Sequence, residues 1–532
     1  AEAARVLEAD LKARVRGEVR FDRTSRMLYS TDASNYQIEP IGVIVPENVD
    51  DVLAAIEIAA SHGAPILPRG SGSSLAGQTV GAALVIDFSK RLSRILALDA
   101  EAHVVTVEPG INLDLLNKQL KASGLMFGPD PSSGNRATAG GVVGNNATGA
   151  HSILYGMTSD NVHAAKVALA DGGVVDLGPG ARADLGERAR QDDPLGRLLS
   201  QLLAFGERHR DLIARDFPPH WRRATGYSLD QFLKPDDRFN PARLLVASEG
   251  TLATSLELQL DLVPTPRRTA LVLLQFEELV AAMAATPTIL ECEPSAIELM
   301  DRMLINLTRS QPGYRRQIAM IQGDPAAVLA VEFYGNDDAD LERQAQRLEQ
   351  HLVDQGIRLM AAPLRLLDPA RQADVWSVRK AGLGLLMSVK GDHKPIPAIE
   401  DVSVPVPHLA EYVEAVEGMV AAHGTTAAYY AHASAGCLHI RPLINLKTLQ
   451  GVQAMSEIAH EAAELAHRFG GVMSGEHGDG LQRSELNPTI FGPELYEAMR
   501  EFKRIWDPRG LMNPGKKVDA PPMTEHLRYG TE

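Results

Sequence analysis

Two short stretches of this chain place imidazoles and a carboxylate where they could share one ion. His432-Ala-Ser-Ala-Gly-Cys-Leu-His439 sets two histidines across a glycine-containing turn that enters an apolar strand. Ser474-Gly-Glu-His-Gly-Asp-Gly480 adds Glu476 and His477 in a second glycine-rich turn, after a long helical pattern. Two histidines and a carboxylate make an open site for a borderline divalent ion, with positions left for a substrate. Histidines that only hydrogen-bond within a β-turn would read the same way, and spacing alone leaves both readings open. Trp376-Ser-Val-Arg379 and the later Lys394 offer a planar fork and a point charge for a carboxylate. An exposed helix arginine and a loop lysine are the plainer reading.

Glycine supplies the second kind of chemistry. Arg69-Gly-Ser-Gly-Ser-Ser-Leu-Ala-Gly77-Gln78 follows the short apolar strand Pro65–Pro68. Its small residues let backbone approach a ligand, and successive N–H groups can form an anion nest suited to a pyrophosphate. No Lys-Ser/Thr follows at Walker A spacing, and neither the helix nor the acidic residue of a dinucleotide G-x-G-x-x-G motif is in place. A glycine-rich surface loop therefore stays open for this stretch taken alone. The second cluster favours a ligand. Gly128-Pro-Asp-Pro-Ser-Ser-Gly134 leads into Thr138-Ala-Gly-Gly-Val-Val-Gly-Asn-Asn-Ala-Thr-Gly149, then His151 and Tyr155-Gly156. Glycines with Asn145 and Asn146 suit a flat polar heterocycle held by backbone and amide hydrogen bonds, and two such loops make a slot for a dinucleotide.

These motifs need a scaffold, and the pattern predicts an α+β chain. Its 532 residues allow two or three packed units. Ile41–Val45, Leu84–Phe88, Ile95–Leu98 and Val104–Val107 read as strands, and Val49–Ser61 and Leu113–Ala122 as helices. A charged helical insertion is expected over Gln191–Arg215, and β character from Leu244 to Leu262. Val263-Pro-Thr-Pro266 suits an extended crossover. Beyond it, helices at Glu277–Ala285, Asp340–Gln355, Leu409–His423 and Gly451–Phe469 alternate with strands at Ile318–Gln322, Ala330–Tyr334 and Leu438–Pro442, which predicts helices over an antiparallel sheet. The expected division is a helical segment 1–35, a domain 36–265 that carries the glycine loops, a second α+β domain 266–505 and a tail 506–532. A formal charge of −15 argues against a general nucleic-acid binder. Cys292 and Cys437 alone cannot form a disulfide framework or ligate an iron–sulfur cluster, which fits a reducing compartment. No apolar run of about 18 residues predicts a membrane span, and the first twenty residues lack a signal-peptide core. A soluble, cytoplasmic protein is expected.

Arg69–Gln78, Thr138–Gly149, Ser248-Glu-Gly-Thr251 and Asn513-Pro-Gly-Lys516 together resemble the FAD-binding (PCMH-type) domain of the vanillyl-alcohol-oxidase flavoprotein superfamily. The resemblance covers nearly the whole chain in order and is narrower to the D-lactate, glycolate and D-2-hydroxyglutarate dehydrogenase branch. It implies a two-subdomain FAD domain followed by an α+β cap domain with an antiparallel sheet. It implies FAD pyrophosphate on Arg69, Gly70, Ser71, Gly72, Ser73 and Ser74, with Pro68, Gly77 and Gln78 alongside. The isoalloxazine is implied against Gly140, Gly141, Gly144, Asn145, Asn146 and Gly149, with Pro129, Asp130, His151, Glu249, Gly250 and Asn513 completing the FAD contacts. Relatives that tether flavin through the first loop carry histidine where this chain has Ser73, so the resemblance implies dissociable FAD.

The same resemblance implies His432, His439 and Glu476 as ligands of a divalent metal, zinc first and manganese or iron next, with His477 as catalytic base. It implies Arg379 and Lys394 on the substrate carboxylate. Arg441 stands where many relatives have asparagine, and a third cation there would favour a dicarboxylate. The implied reaction oxidises a D-2-hydroxy acid to its 2-oxo acid, with hydride passing to FAD. Pro521–Gly530 is similar to the junction at which large bacterial flavoproteins continue into an iron–sulfur half, which implies an iron–sulfur domain or subunit as acceptor. A homodimer is the default expectation. Two alternatives stand: an alkylglycerone-phosphate-synthase-like flavoenzyme, and a flavin electron-transfer subunit with a vestigial pocket. No nucleophile elbow supports a hydrolase.

Overall fold

The computed structural model describes residues 2–530. A small sheet starts the molecule. Gly42–Val45, Leu84–Asp87 and Ile66–Arg69 run parallel, and Glu18–Arg20 joins antiparallel at the outer edge. Parallel pairing requires a crossover, which the helix Val49–Ser61 supplies. The Asn48 side chain accepts the Asp51 N–H to start that helix. Val52, Ala55, Ile56 and Ala59 then repeat on one face and are fully buried. The opposite edge of the sheet is closed by the C-terminal tail, where Ile66 donates to the Leu511 carbonyl and Asn513 N–H donates back to Ile66.

A second, antiparallel sheet follows in the order Ile95–Asp99, Val104–Val107, Thr254–Asp261, Val162–Ala168, Val174–Leu177. Of the β character expected over Leu244–Leu262, only Thr254–Asp261 is a strand of this sheet. Pro241–Leu245 is a 3₁₀ turn, and Ala247 and Glu249 take positive φ values of 66° and 56°. The third sheet carries eight strands, all antiparallel, with Arg268–Phe276, Ala327–Gly335, Ala296–Asp301, Ala427–His432 and Cys437–Ile444 in its centre. It is covered on both faces. Ala270, Val272 and Leu274 pack toward the helices Leu279–Leu290, Asp338–Asp354 and Leu409–Ala422, while Leu271 and Leu273 pack toward Arg302–Ser310 and Pro369–Met387. The strand expected at Ile318–Gln322 is a run of turns, because Ile318 and Ile321 are buried three residues apart in one cluster, not alternately on two faces. Among the described residues no helix is long and apolar enough to cross a membrane.

Candidate active site

A cleft of about 1710 Å³ runs between the glycine-rich turns and the large sheet. It is wider than a site for an ordinary drug-sized ligand, which holds about 300–1,000 Å³. Pro68 and Arg69 close the strand Ile66–Arg69 and deliver Gly70–Ser74 to the cleft wall. Among the described residues, none of the N–H groups of Gly70–Ser74 donates to another backbone carbonyl or to a side chain. Five successive free donors in a cleft fit a pyrophosphate. The Arg69 side chain does something else: it is buried and donates to the carbonyls of Thr79 and Thr31, both at 2.8 Å, so it pins the loop from behind.

The second glycine cluster is not wholly a loop. Ala139–Asn145 is a short helix, started by the Thr138 side chain and ended by Asn146 in the left-handed region. Gly140, Gly141, Gly144 and Asn145 line the cleft, with Asp130, His151, Glu249 and Gly250. Gly77, Pro129, Asn146, Gly149 and Asn513 lie behind its surface. Gly77 packs against Tyr36 and Leu481, and a Cβ on Gly149 would overlap the Asp130 carbonyl. Asn146 bridges the Arg223 carbonyl and the Ser159 N–H at 2.8 Å each. The Asn513 amide donates to the carbonyls of Gln78 (3.0 Å) and Glu249 (2.8 Å), tying the tail to both turns. Gln78 itself lines the cleft and donates to the His477 carbonyl. His151 sits between Asp130 (2.6 Å) and Glu332 (2.5 Å); burial opposes its charge, but the two carboxylates push its pKa up to about 11.

At the other end of the cleft the sheet brings the histidines and the carboxylate together. The hairpin Ala427–His432/Cys437–Ile444 carries His432 and His439, and the turn after helix Leu449–Arg468 carries Glu476 and His477. Glu476 Oε1 lies 3.0 Å from His432 Nε2 and 3.4 Å from His439 Nε2. His477 Nε2 is 3.7 Å from the same oxygen, and its ring stacks on His439 with centroids 5.0 Å apart. His432, Glu476 and His477 line the cleft; His439 lies just behind them. Burial depresses the His439 pKa to about 4, so the ring is neutral, the form that ligates a metal. Burial alone would raise the Glu476 carboxyl, but His432 and Arg222 hold it well below the usual range. The side chains close enough to share an ion are Asp401, Cys437, His439 and Glu476 in one group and Glu400, His439 and His477 in another. His432 stands beside them on Glu476; burial opposes its charge, but Glu298 and Glu476 raise its pKa.

The cations are distributed differently from the sequence expectation. Arg379 lines the cleft, over the Tyr430 ring at 5.0 Å, with Nη2 paired to Glu298 and Nε making no hydrogen bond. Lys394 instead donates to the Val389 carbonyl and is not in the cleft wall. Arg441 is 2 % exposed and paired with Glu400, which also accepts from the Tyr430 hydroxyl at 2.9 Å. Arg441 does not line the cleft, because a carboxylate on the neighbouring strand already holds it. Sequence reasoning also missed the buried charges behind the site. Glu298 is 2.7 Å from His432 Nδ1 and 2.8 Å from Arg379 Nη2. Arg222 is 3.3 Å from Glu476 Oε2. Asp401, at φ 74°, accepts the backbone N–H groups of Glu476 (3.0 Å) and His477 (2.6 Å). The signal in the sequence was acid within strand-like apolar runs, Ala-Ile-Glu298-Leu-Met and Ala-Ile-Glu400-Asp401-Val; Arg222 had none.

A nest of free backbone donors, a glycine-lined slot and a cap domain on an antiparallel sheet define a flavoprotein, and the chain belongs to the FAD-linked oxidases. Residues 40–178 match the FAD binding domain and residues 265–517 match the FAD linked oxidases, C-terminal domain. FAD is the cofactor of such domains, and the family and cofactor expected from sequence are borne out. Within the class, the chain is 33% identical over 94% of its length to D-2-hydroxyglutarate dehydrogenase of Pantoea ananatis (strain AJ13355), and 32% identical over 97% to that of Escherichia coli (strain K12). It spans about half the length of these curated relatives, 50% and 52% respectively. In fold it is similar to p-cresol methylhydroxylase with substrate bound, at a TM-score of 0.70 over 97% of each chain and 12% identity.

Proposed function

We propose that the chain oxidises a D-2-hydroxy acid of the D-2-hydroxyglutarate or D-lactate type to the 2-oxo acid, with dissociable FAD as oxidant. The carrying observation is the convergence of Arg379, His432, Glu476 and His477 in the cleft that the glycine turns also line, with His439 just behind them. Bound FAD supplies a hydride acceptor. A divalent ion on His432, His439 and Glu476, zinc by the donor set, supplies a Lewis acid for the substrate hydroxyl. Arg379 binds the substrate carboxylate from the cleft wall, which fixes the Cα–H direction. His477, side chain 20% exposed, accepts the hydroxyl proton; its backbone N–H on Asp401 and its carbonyl on Gln78 hold it in place. Lys394 joins Arg379 on the carboxylate only if its loop turns inward from Val389.

Electrons leave to an acceptor outside the chain, for which we propose an iron–sulfur domain or subunit, in a cytoplasmic setting that suits the free Cys292 and Cys437. The test is anaerobic titration of the FAD-loaded protein with D-lactate, D-malate and D-2-hydroxyglutarate. Bleaching of the flavin band by one of them, with release of the 2-oxo acid, is the expected result. A flavin that stays oxidised with all three refutes the reading.

A further inference from the structure

Glu298 occupies a central strand of the large sheet, Ala296–Asp301, and its register partner on the next strand is His432. Its side chain is 1% exposed and splits between two functional groups: Oε1 on His432 Nδ1 at 2.7 Å, Oε2 on Arg379 Nη2 at 2.8 Å. Tyr430 stands two residues from His432 on the same face and holds the Arg379 guanidinium over its ring, so Arg379 keeps its place without Glu298. A carboxylate on Nδ1–H fixes the His432 ring with Nε2 toward Glu476, the nitrogen that would face an ion there. The same negative charge lies 2.8 Å from Arg379 Nη2, close to any anion that the guanidinium takes from the cleft, and repels that anion. We propose that Glu298 is a positioning residue that strengthens the metal site through His432 and weakens carboxylate binding at Arg379. It thereby exchanges substrate and product affinity for a correctly oriented ligand. This rests on the hydroxy-acid reading above.

The two effects have opposite signs, which a purely structural role would not produce. Isothermal titration of the chelator-treated, FAD-loaded protein reads them separately, with Zn2+ and with pyruvate as probes. Glu298→Gln should weaken Zn2+ binding by about 10–100-fold and tighten pyruvate binding by at least about tenfold, since a buried like charge has gone. Glu298→Asp keeps the charge while losing reach, so Zn2+ binding should weaken and pyruvate binding should not tighten. A folded Glu298→Gln protein whose pyruvate affinity is unchanged or weaker overturns the proposal. Should that variant fail to fold, unchanged Zn2+ affinity in Glu298→Asp overturns it instead. A wild-type protein that takes up neither probe refutes the hydroxy-acid reading itself; one that binds both, with Glu298→Gln weakening both, refutes only the role of Glu298.

Discussion

On one side of the cleft, Gly70–Ser74 present bare backbone N–H groups and scarcely any charge; on the other, ionised side chains crowd together out of water. There Glu298, Glu400, Asp401 and Glu476 are balanced by Arg222, Arg379, Arg441 and Arg483, all 7% exposed or less. The glycine side is defined by shape: it tolerates many side chains nearby but no added atom where backbones touch. The charged side is defined by balance. Glu298, Glu400 and Glu476 each face a specific cation, whereas Asp401 is held by backbone N–H groups and the Ser474 hydroxyl; removing one partner of a pair leaves the other buried and unpaired. Glycine turns are therefore specified locally, whereas the charged wall is specified by residues hundreds of positions apart.

The contrast is tested most severely by His477→Ala. Loss of the proton acceptor should slow flavin reduction by a D-2-hydroxy acid about 10²–10⁴-fold, while bound flavin per chain stays as in wild type. Rapid-mixing absorbance measures the first and the flavin spectrum the second; parallel loss of both would mean the two walls are not separable. Next comes Glu400→Gln, which strips the counter-charge from fully buried Arg441 and should cost about 3–5 kcal/mol of stability. Denaturant unfolding reads it, and a change under about 1 kcal/mol would show that the charged wall is not held by pairwise balance.

How much of this was visible in the sequence follows the same division. The glycine turns were legible because close backbone approach restricts residue type, and Gly70 and Gly149 meet Thr138 and Asp130 so tightly that only glycine fits. His432, His439, Glu476 and His477 were legible because turn spacing brings them to one place. The pairing of Arg441 was not legible, since nothing local says that Glu400 lies across the strand pair to take its charge. Glu298 and Arg222 escaped notice because their meaning is wholly tertiary: one pairs through strand register, the other reaches Glu476 from a strap that also donates to the Gly149 carbonyl.

Gly149→Ala sharpens the shape side. The new Cβ overlaps backbone, which cannot swing aside as a side chain would, so about 1–3 kcal/mol of stability and part of the flavin occupancy should be lost. Calorimetry with and without added FAD measures both, and full occupancy at wild-type stability would mean the turn is looser than its contacts. His220 gives the smallest effect and bears on the balance side. It lies on the strap beside Arg222, donating to or accepting from Ser403 Oγ at 2.7 Å, and burial, reinforced by Arg223 and Arg222, depresses its pKa to about 3. In the unfolded chain the ring titrates near about 6.5. Between those values the unfolded state holds a proton that the native state refuses, so stability falls as pH drops from about 6.5 toward 3. At pH 5.5 the loss from this one group is about 1.3 kcal/mol relative to neutral pH. His220→Gln keeps a hydrogen-bonding amide without a titrating ring, so its melting temperature should decline less between pH 7 and pH 5.5 than that of wild type. Equal declines would show that burial beside Arg222 and Arg223 does not keep this ring uncharged, and that balance on this wall extends no further than direct contact.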